Sequence, residues 1–198
     1  MTDAARPRAG WQRFIPLIVL VLCILPPAAA WLLANGAFGW KPAHLTVSGD
    51  LLEPPPTLEL AGVHGIDGVA QPFPSGPGIW TLAYIGGPEC DAACEAALER
   101  LRSAQLATGK RVIFVQRMYV HPEGVRRPIP AAMAAAPAGL LAPVAASDWP
   151  AIQALLGGAP AAVVIVDPHG RAVLRYPPQF PFKGLVDDVK RLLGVPAR

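Results

Sequence analysis

Charge is thin in this chain and unevenly spread. Charged residues make up 16% of the 198, histidine numbers four and cysteine three. Lys and Arg exceed Asp and Glu only as 17 against 14, and the first thirteen residues, MTDAARPRAGWQR, supply +2 of the formal +3 through Arg6, Arg8 and Arg13 against Asp3. The remainder is nearly neutral, which excludes a nucleic-acid surface built from clustered Lys/Arg on one folded face. Internal repeats and heptad runs are absent too, so neither a solenoid nor a coiled coil is expected.

No charge at all occurs in FIPLIVLVLCILPPAAAWLLA, residues 14–34. As a helix this run would extend about 31 Å at the usual rise, close to the roughly 30 Å of a bilayer's hydrocarbon layer. A transmembrane helix is predicted. Pro26 and Pro27 would kink it. Ala28 to Ala30 resemble a signal-peptidase site, but the apolar run continues through Trp31, Leu32 and Leu33, so a retained anchor is expected. Three arginines precede the span and Lys41 follows it, which puts the N-terminus in the cytoplasm and the rest outside. In a Gram-negative inner membrane, outside is the periplasm, an oxidising compartment in which disulfides persist. Cys23, inside the apolar run, reads as a small hydrophobe.

The expected organisation is a cytoplasmic tail (1–13), a transmembrane helix (14–34), a Pro-rich linker with at most a short hairpin (35–78) and a periplasmic domain (79–198). His44 and His64 fall in the linker and read as solvated. Within the domain, IWTLAYIG (79–86) is an aromatic and β-branched run bounded by Gly-Pro, a buried strand. A helix is predicted over about 91–108, with Cys94, Ala97, Leu98, Leu101 and Gln105 on one face and Gly109 past its end. RVIFVQRMYV (111–120) reads as a central strand. The Ala/Pro-rich stretch 126–146 suggests a loop with a short helix. SDWPAIQALL (147–156) reads as a helix with Ser147 or Asp148 at its N-cap and Pro150 in its first turn. AAVVIV (161–166) and RAVLRY (171–176) flank DPHG, a type I turn pattern, and so form an antiparallel hairpin. KGLVDDVKRLL gives an amphipathic closing helix.

The order strand, helix, strand, helix, strand, strand, helix is that of an α/β thioredoxin-like fold, a central mixed sheet flanked by helices. A right-handed first crossover puts the start of the first helix, with Cys90 and Cys94, at the carboxyl edge of the sheet. Ala159-Pro160 stands where such a fold keeps a cis-proline. Three chemistries stay open for the cysteines: a dithiol–disulfide couple, a pair of soft ligands for Cu(I), or a structural staple. A helix N-terminus favours a thiolate or a metal ligand alike. Glu89, Asp91 and Glu95 repel an attacking thiolate and attract a cation. A staple closing so short a loop constrains little entropy.

The stretches GDLLEPPPTLEL, WTLAYIGGPECDAACEAAL and VDPHGRAVLRYPPQFPFKGLVDDVKRLL, 59 of the 198 residues, resemble the SCO family of cytochrome oxidase copper chaperones. Closer still, they are similar to small membrane-anchored proteins of proteobacterial oxidase assembly gene clusters. The resemblance implies a thioredoxin fold, copper handled through the C-x3-C pair Cys90 and Cys94, and oxidase subunits or other assembly factors as partners at the inner membrane. SCO proteins take a third copper ligand, a histidine, from the loop before the third core strand. Residues 143–160 contain no histidine. His121, after the second parallel strand, lies on the cysteine edge and is the candidate replacement, set against its reading as an exposed loop residue. His169, at position i+2 of the hairpin turn, belongs to the opposite edge. The expected function is copper handling in cytochrome c oxidase biogenesis. The alternatives are a thiol–disulfide oxidoreductase that keeps a copper-site dithiol reduced, and a non-catalytic assembly scaffold. Cys90 should be the exposed thiol and Cys94 the covered one.

Overall fold

The computed structural model describes residues 14–34, 47–124 and 129–194. The basic tail and His44 lie outside these. The chain divides into two compact units, Met1–Leu45 and Thr46–Arg198. Among the described residues the first contributes the helix α1 (Ile15–Ala34), which holds Pro26 and Pro27 and no charged residue. Among the described residues no helix is long and apolar enough to cross a membrane.

The second unit is built on one seven-stranded mixed sheet in the order β1-β7-β6-β3-β4-β5-β2. In chain order its elements are β1 (Asp50–Leu51), β2 (His64–Gly65), β3 (Trp80–Ile85), α2 (Ala92–Leu106), a 3-10 helix (Gly109–Phe114), β4 (Val115–Pro122), α3 (Ala131–Ala134), β5 (Leu140–Val144), α4 (Trp149–Ala154), β6 (Ala162–Val166), β7 (Ala172–Tyr176) and α5 (Phe182–Gly194). β3, β4 and β5 run parallel, and β6 lies antiparallel to β3. Alternation along β3 divides the core into two layers. Leu82 and Tyr84 face α2 and α5, packing with Leu98, Leu101, Phe180 and Leu185. Ala83 and Ile85 face the other way, toward Ile152 and Leu155. The predicted buried face of the first helix, Cys94 through Gln105, is the observed one.

The structure departs from the sequence reading in four places. The Pro-rich segment makes the short hairpin expected of it, with His64 bridging Ala70 and Gln71 N–H donating to Val63 C=O at 2.8 Å, but β1 also pairs with β7 and β2 with β5, so its two short strands close both edges of the sheet. The second parallel strand begins at Val115 and not at Arg111, because 109–114 coil as a 3-10 helix that leaves Ile113 and Phe114 exposed. A short apolar block does not by itself distinguish strand from helix. A further parallel strand, β5, lies inside the Ala/Pro-rich stretch. Its Pro143 costs no ladder bond on the outer side, since β2 pairs only with Leu140 and Leu141. Finally, among the described residues the cis bonds are Glu53-Pro54, Phe73-Pro74 and Ala136-Pro137. Ala159-Pro160 keeps the trans form, the intrinsically favoured one.

The hairpin turn is as predicted. Gly170 N–H donates to the Asp167 carbonyl at 3.0 Å, with Gly170 at φ +82°, a region glycine enters without a Cβ penalty. Asp167 is buried and accepts from His169 N–H at 2.9 Å, Arg171 N–H at 2.8 Å and Arg171 Nε at 2.8 Å. Burial alone would raise its pKa, but these hydrogen bonds and the Arg171 charge outweigh it and hold the carboxyl below its ordinary value.

Candidate functional site: a cysteine pair over a tyrosine platform

β3 delivers the chain to the carboxyl edge at Gly86, whose N–H donates to Val120 C=O at 3.1 Å and so extends the parallel pairing by one residue. A Cβ at Gly86 would lie 2.8 Å from the Tyr84 ring and 3.1 Å from the Tyr119 ring. Only glycine fits over that platform. The two tyrosines are register partners on β3 and β4, their ring centroids 6.0 Å apart. His121, two residues along β4 and therefore on the same face, puts its ring centroid 5.1 Å from that of Tyr119. Its Nδ1–H donates to the Pro122 carbonyl at 3.0 Å.

Past Gly86 and Gly87 the chain turns into α2. Asp91 is the N-cap, with extended backbone, and its carboxylate accepts the Cys94 N–H at 2.9 Å. Cys90 precedes the cap and Cys94 is the third residue of the helix. This spacing brings their Cα atoms to 5.1 Å, and the two sulfurs are joined as a disulfide. Cys94 is buried at 3% exposure, while Cys90 is partly exposed and packs against the same core layer. The expected division between an accessible and a covered sulfur holds. Glu89 and Asp91 are exposed beside the pair and Glu95 is partly exposed, so the site is acidic.

The parallel pairing puts His121 on the cysteine edge and on the α2 face. In this oxidised arrangement, however, no three His, Cys, Asp or Glu side chains among the described residues are grouped to hold a metal ion. His169 is exposed in the hairpin turn. It lies beyond Val166, which pairs with Thr81 at the start of β3, whereas Ala162 pairs with Ile85 at the end. The turn is thus on the opposite edge, as expected. His64 sits in β2 and its Nδ1–H donates to Gly62 C=O at 2.8 Å. Cys23 is a free, exposed cysteine on α1.

Tyr84, Gly86 and Arg117 escaped the sequence reading. Arg117 is 1% exposed. Nε donates to Gln105 Oε1 at 2.7 Å, Nη1 to Ala132 C=O at 2.7 Å, and Nη2 to Ala135 C=O at 3.1 Å and to Pro137 C=O. Gln105 in turn donates to Val115 C=O at 2.6 Å. Burial, reinforced by the Arg102 charge and opposed by Glu99, lowers the Arg117 pKa to about 10. It therefore remains cationic at neutral pH, solvated by carbonyl dipoles at the end of α3. This cage fastens the 130–139 segment to α2 and β4. An arginine in the middle of an apolar strand was the available signal.

The parallel crossover through α2, the antiparallel hairpin and the cysteine pair at the carboxyl edge define a thioredoxin-like domain. The chain belongs to the family described as "Transmembrane-like, thioredoxin-like, C-terminal domain", whose model matches residues 80–195. No curated protein sequence matches the chain. Solved structures of similar fold include BsSco, described as a member of the Sco family of cytochrome c oxidase assembly proteins with a disulfide switch. It is 17% identical, over 74% of this chain and 98% of that one, with TM-score 0.52. Apo Sco1 from Thermus thermophilus is 20% identical, over 77% of this chain and 99% of that one, with TM-score 0.52. Copper-bound ScoI of Bradyrhizobium japonicum is 20% identical, over 65% of this chain and 94% of that one, with TM-score 0.47. At these identities the likeness is one of fold.

Proposed function

We propose that this chain is a membrane-anchored thioredoxin-like protein of cytochrome c oxidase biogenesis, whose Cys90–Cys94 pair carries Cu(I) as cargo when reduced and releases or refuses it when oxidised. Residues 14–34 would hold it in the inner membrane, residues 1–13 in the cytoplasm and the folded domain in the periplasm. Oxidase subunits or other assembly factors are the proposed partners.

The observation that carries this reading is the closed Cys90–Cys94 bond at the carboxyl edge, one sulfur accessible and one covered. Sulfurs near enough to bond can also converge on one soft ion once reduced, and thiolates suit Cu(I). The acidic surround attracts the cation and disfavours a fast attacking thiol. Two sulfurs leave coordination open for a donor from a partner, or for His121 in the reduced, loaded form. The fold likeness to Sco proteins agrees with this assignment. A second reading is favoured by the disulfide itself: exchange with a partner's dithiol, keeping a copper site reduced.

Anaerobic titration of the reduced full chain with Cu(I) tests the proposal. Stoichiometric uptake, lost in Cys90→Ser, Cys94→Ser, is expected; no uptake by the parent would overturn the copper role and leave dithiol exchange or a non-catalytic assembly scaffold. A reporter active only in the periplasm, fused after Arg198, should be active, and a silent one would remove the proposed topology.

A further inference from the structure

The covered sulfur poses a physical problem. If a thiolate attacks the accessible Cys90 Sγ, the electron pair of the S–S bond leaves with Cys94 Sγ. That anion is then released inside an apolar layer, where an uncompensated charge is costly. Some donor must receive it. The Cys94 N–H is already committed to the Asp91 carboxylate at 2.9 Å.

Tyr84 meets the requirement. It is the last residue of β3 that faces α2, and Cys94 is the first buried residue of α2; both belong to one buried layer, with Cys90 packed against it. Tyr84 is 3% exposed, and among the described residues its hydroxyl has no hydrogen-bond partner. The hydroxyl is not fully closed off from solvent, and its donor is uncommitted within the protein, so it can turn to a new acceptor. The ring is held under Gly86 and against Tyr119, at the mouth of the loop that carries the cysteines. The geometry points to Tyr84 as the hydrogen-bond donor that receives the Cys94 sulfur when the disulfide opens. Burial above all, then the neighbouring Tyr119 and Asp91, push the phenol pKa up to about 12. Tyr84 therefore donates a hydrogen bond and keeps its proton, because a thiolate is the weaker base.

This inference rests on the Cys90–Cys94 bond being one that opens in function, and it deepens that reading by naming the group that stabilises the open form. With dithiothreitol as the probe, one of its thiolates attacks Cys90 Sγ and forms a mixed disulfide while Cys94 leaves as thiolate. The second dithiothreitol thiolate then displaces Cys90, yielding the cyclic disulfide, so two electrons pass from the dithiol to the cysteine pair. No metal or partner protein is needed.

The test compares the full chain with Tyr84→Phe, which keeps the ring, at pH 7 in defined mixtures of reduced and oxidised dithiothreitol. The variant should open more slowly, and its equilibrium should favour the disulfide by about tenfold, as loss of a hydrogen bond to a charged group implies. Equal rates and equilibria in the two proteins overturn the assignment. A measurement on the parent guards against a variant that fails to fold: the Tyr84 ring Cζ resonance should shift when the pair is reduced, and an unmoved resonance overturns the assignment equally. Failure of copper uptake leaves this result untouched. A pair that dithiothreitol cannot open in the parent contradicts the inference and the redox part of the proposed function together.

Discussion

The Asp91 carboxylate accepts the Cys94 N–H at 2.9 Å, so the cap of α2 lies inside the short loop that the disulfide closes. The positive end of the helix, which in other settings activates a thiol, is here met by a fixed negative charge. Cap and charge are separable by mutation. Asp91→Asn should keep the cap and accelerate opening by a small anionic thiol several-fold. Asp91→Ala should cost about 1 kcal/mol of stability as well. Chemical denaturation of the two variants, paired with opening rates, distinguishes the roles.

Arg117 should be a stability residue and not a site residue. Replacing it with alanine orphans Gln105 Oε1, the buried Ala132 carbonyl and the partly buried carbonyls of Ala135 and Pro137, and at about 1–3 kcal/mol for each unsatisfied buried group the domain should lose about 3 kcal/mol or more. Thermal unfolding measures this. Unchanged stability would mean that the 130–139 segment is held by its apolar contacts alone.

The hairpin turn predicts an acid dependence. Because the Asp167 carboxyl is held below its ordinary value in the fold, its contribution is fully present above the unfolded carboxyl pKa of about 3.9. It is lost as pH falls through the lower folded value. Asp167→Asn should be destabilised at neutral pH and should lack this component of acid sensitivity. Denaturation curves of both proteins between neutral pH and the acid limb check it; parallel pH profiles would contradict it.

Legibility in the sequence followed the physics of each signal. The strand at IWTLAYIG and the buried face of α2 were readable because side-chain periodicity reports burial directly. The DPHG turn was readable because backbone geometry restricts its residues. β5 was not, since LLAPV lacks β-branched enrichment, carries a proline, and owes its place to pairing with β4 and the Arg117 cage. The partners in that cage are backbone carbonyls, which have no sequence signature. The cysteine pair was found from spacing and compartment, but the tyrosine platform beneath it depends on cross-strand register, which a linear reading of β3 and β4 does not reveal.

His121 and His169 separate the two edges of the sheet experimentally. If His121 completes the reduced site, His121→Ala should weaken Cu(I) retention against a competing chelator by an order of magnitude, roughly the scale of losing one ligand-supporting interaction. His169→Ala, in the turn at the far edge, should retain copper like the parent. Equal retention in both would confine the metal role to the two sulfurs and a partner's donor.

The most direct measurement is the Cu(I) stoichiometry of one preparation of the full chain in two redox states, without oxygen, by competition with a chromophoric chelator. About one equivalent should bind to the reduced chain, as a two-thiolate site for a soft ion requires, and none should bind while Cys90 and Cys94 are joined. Equal binding in both states, or none in the reduced state, would contradict the assignment of the pair as a redox-gated copper carrier.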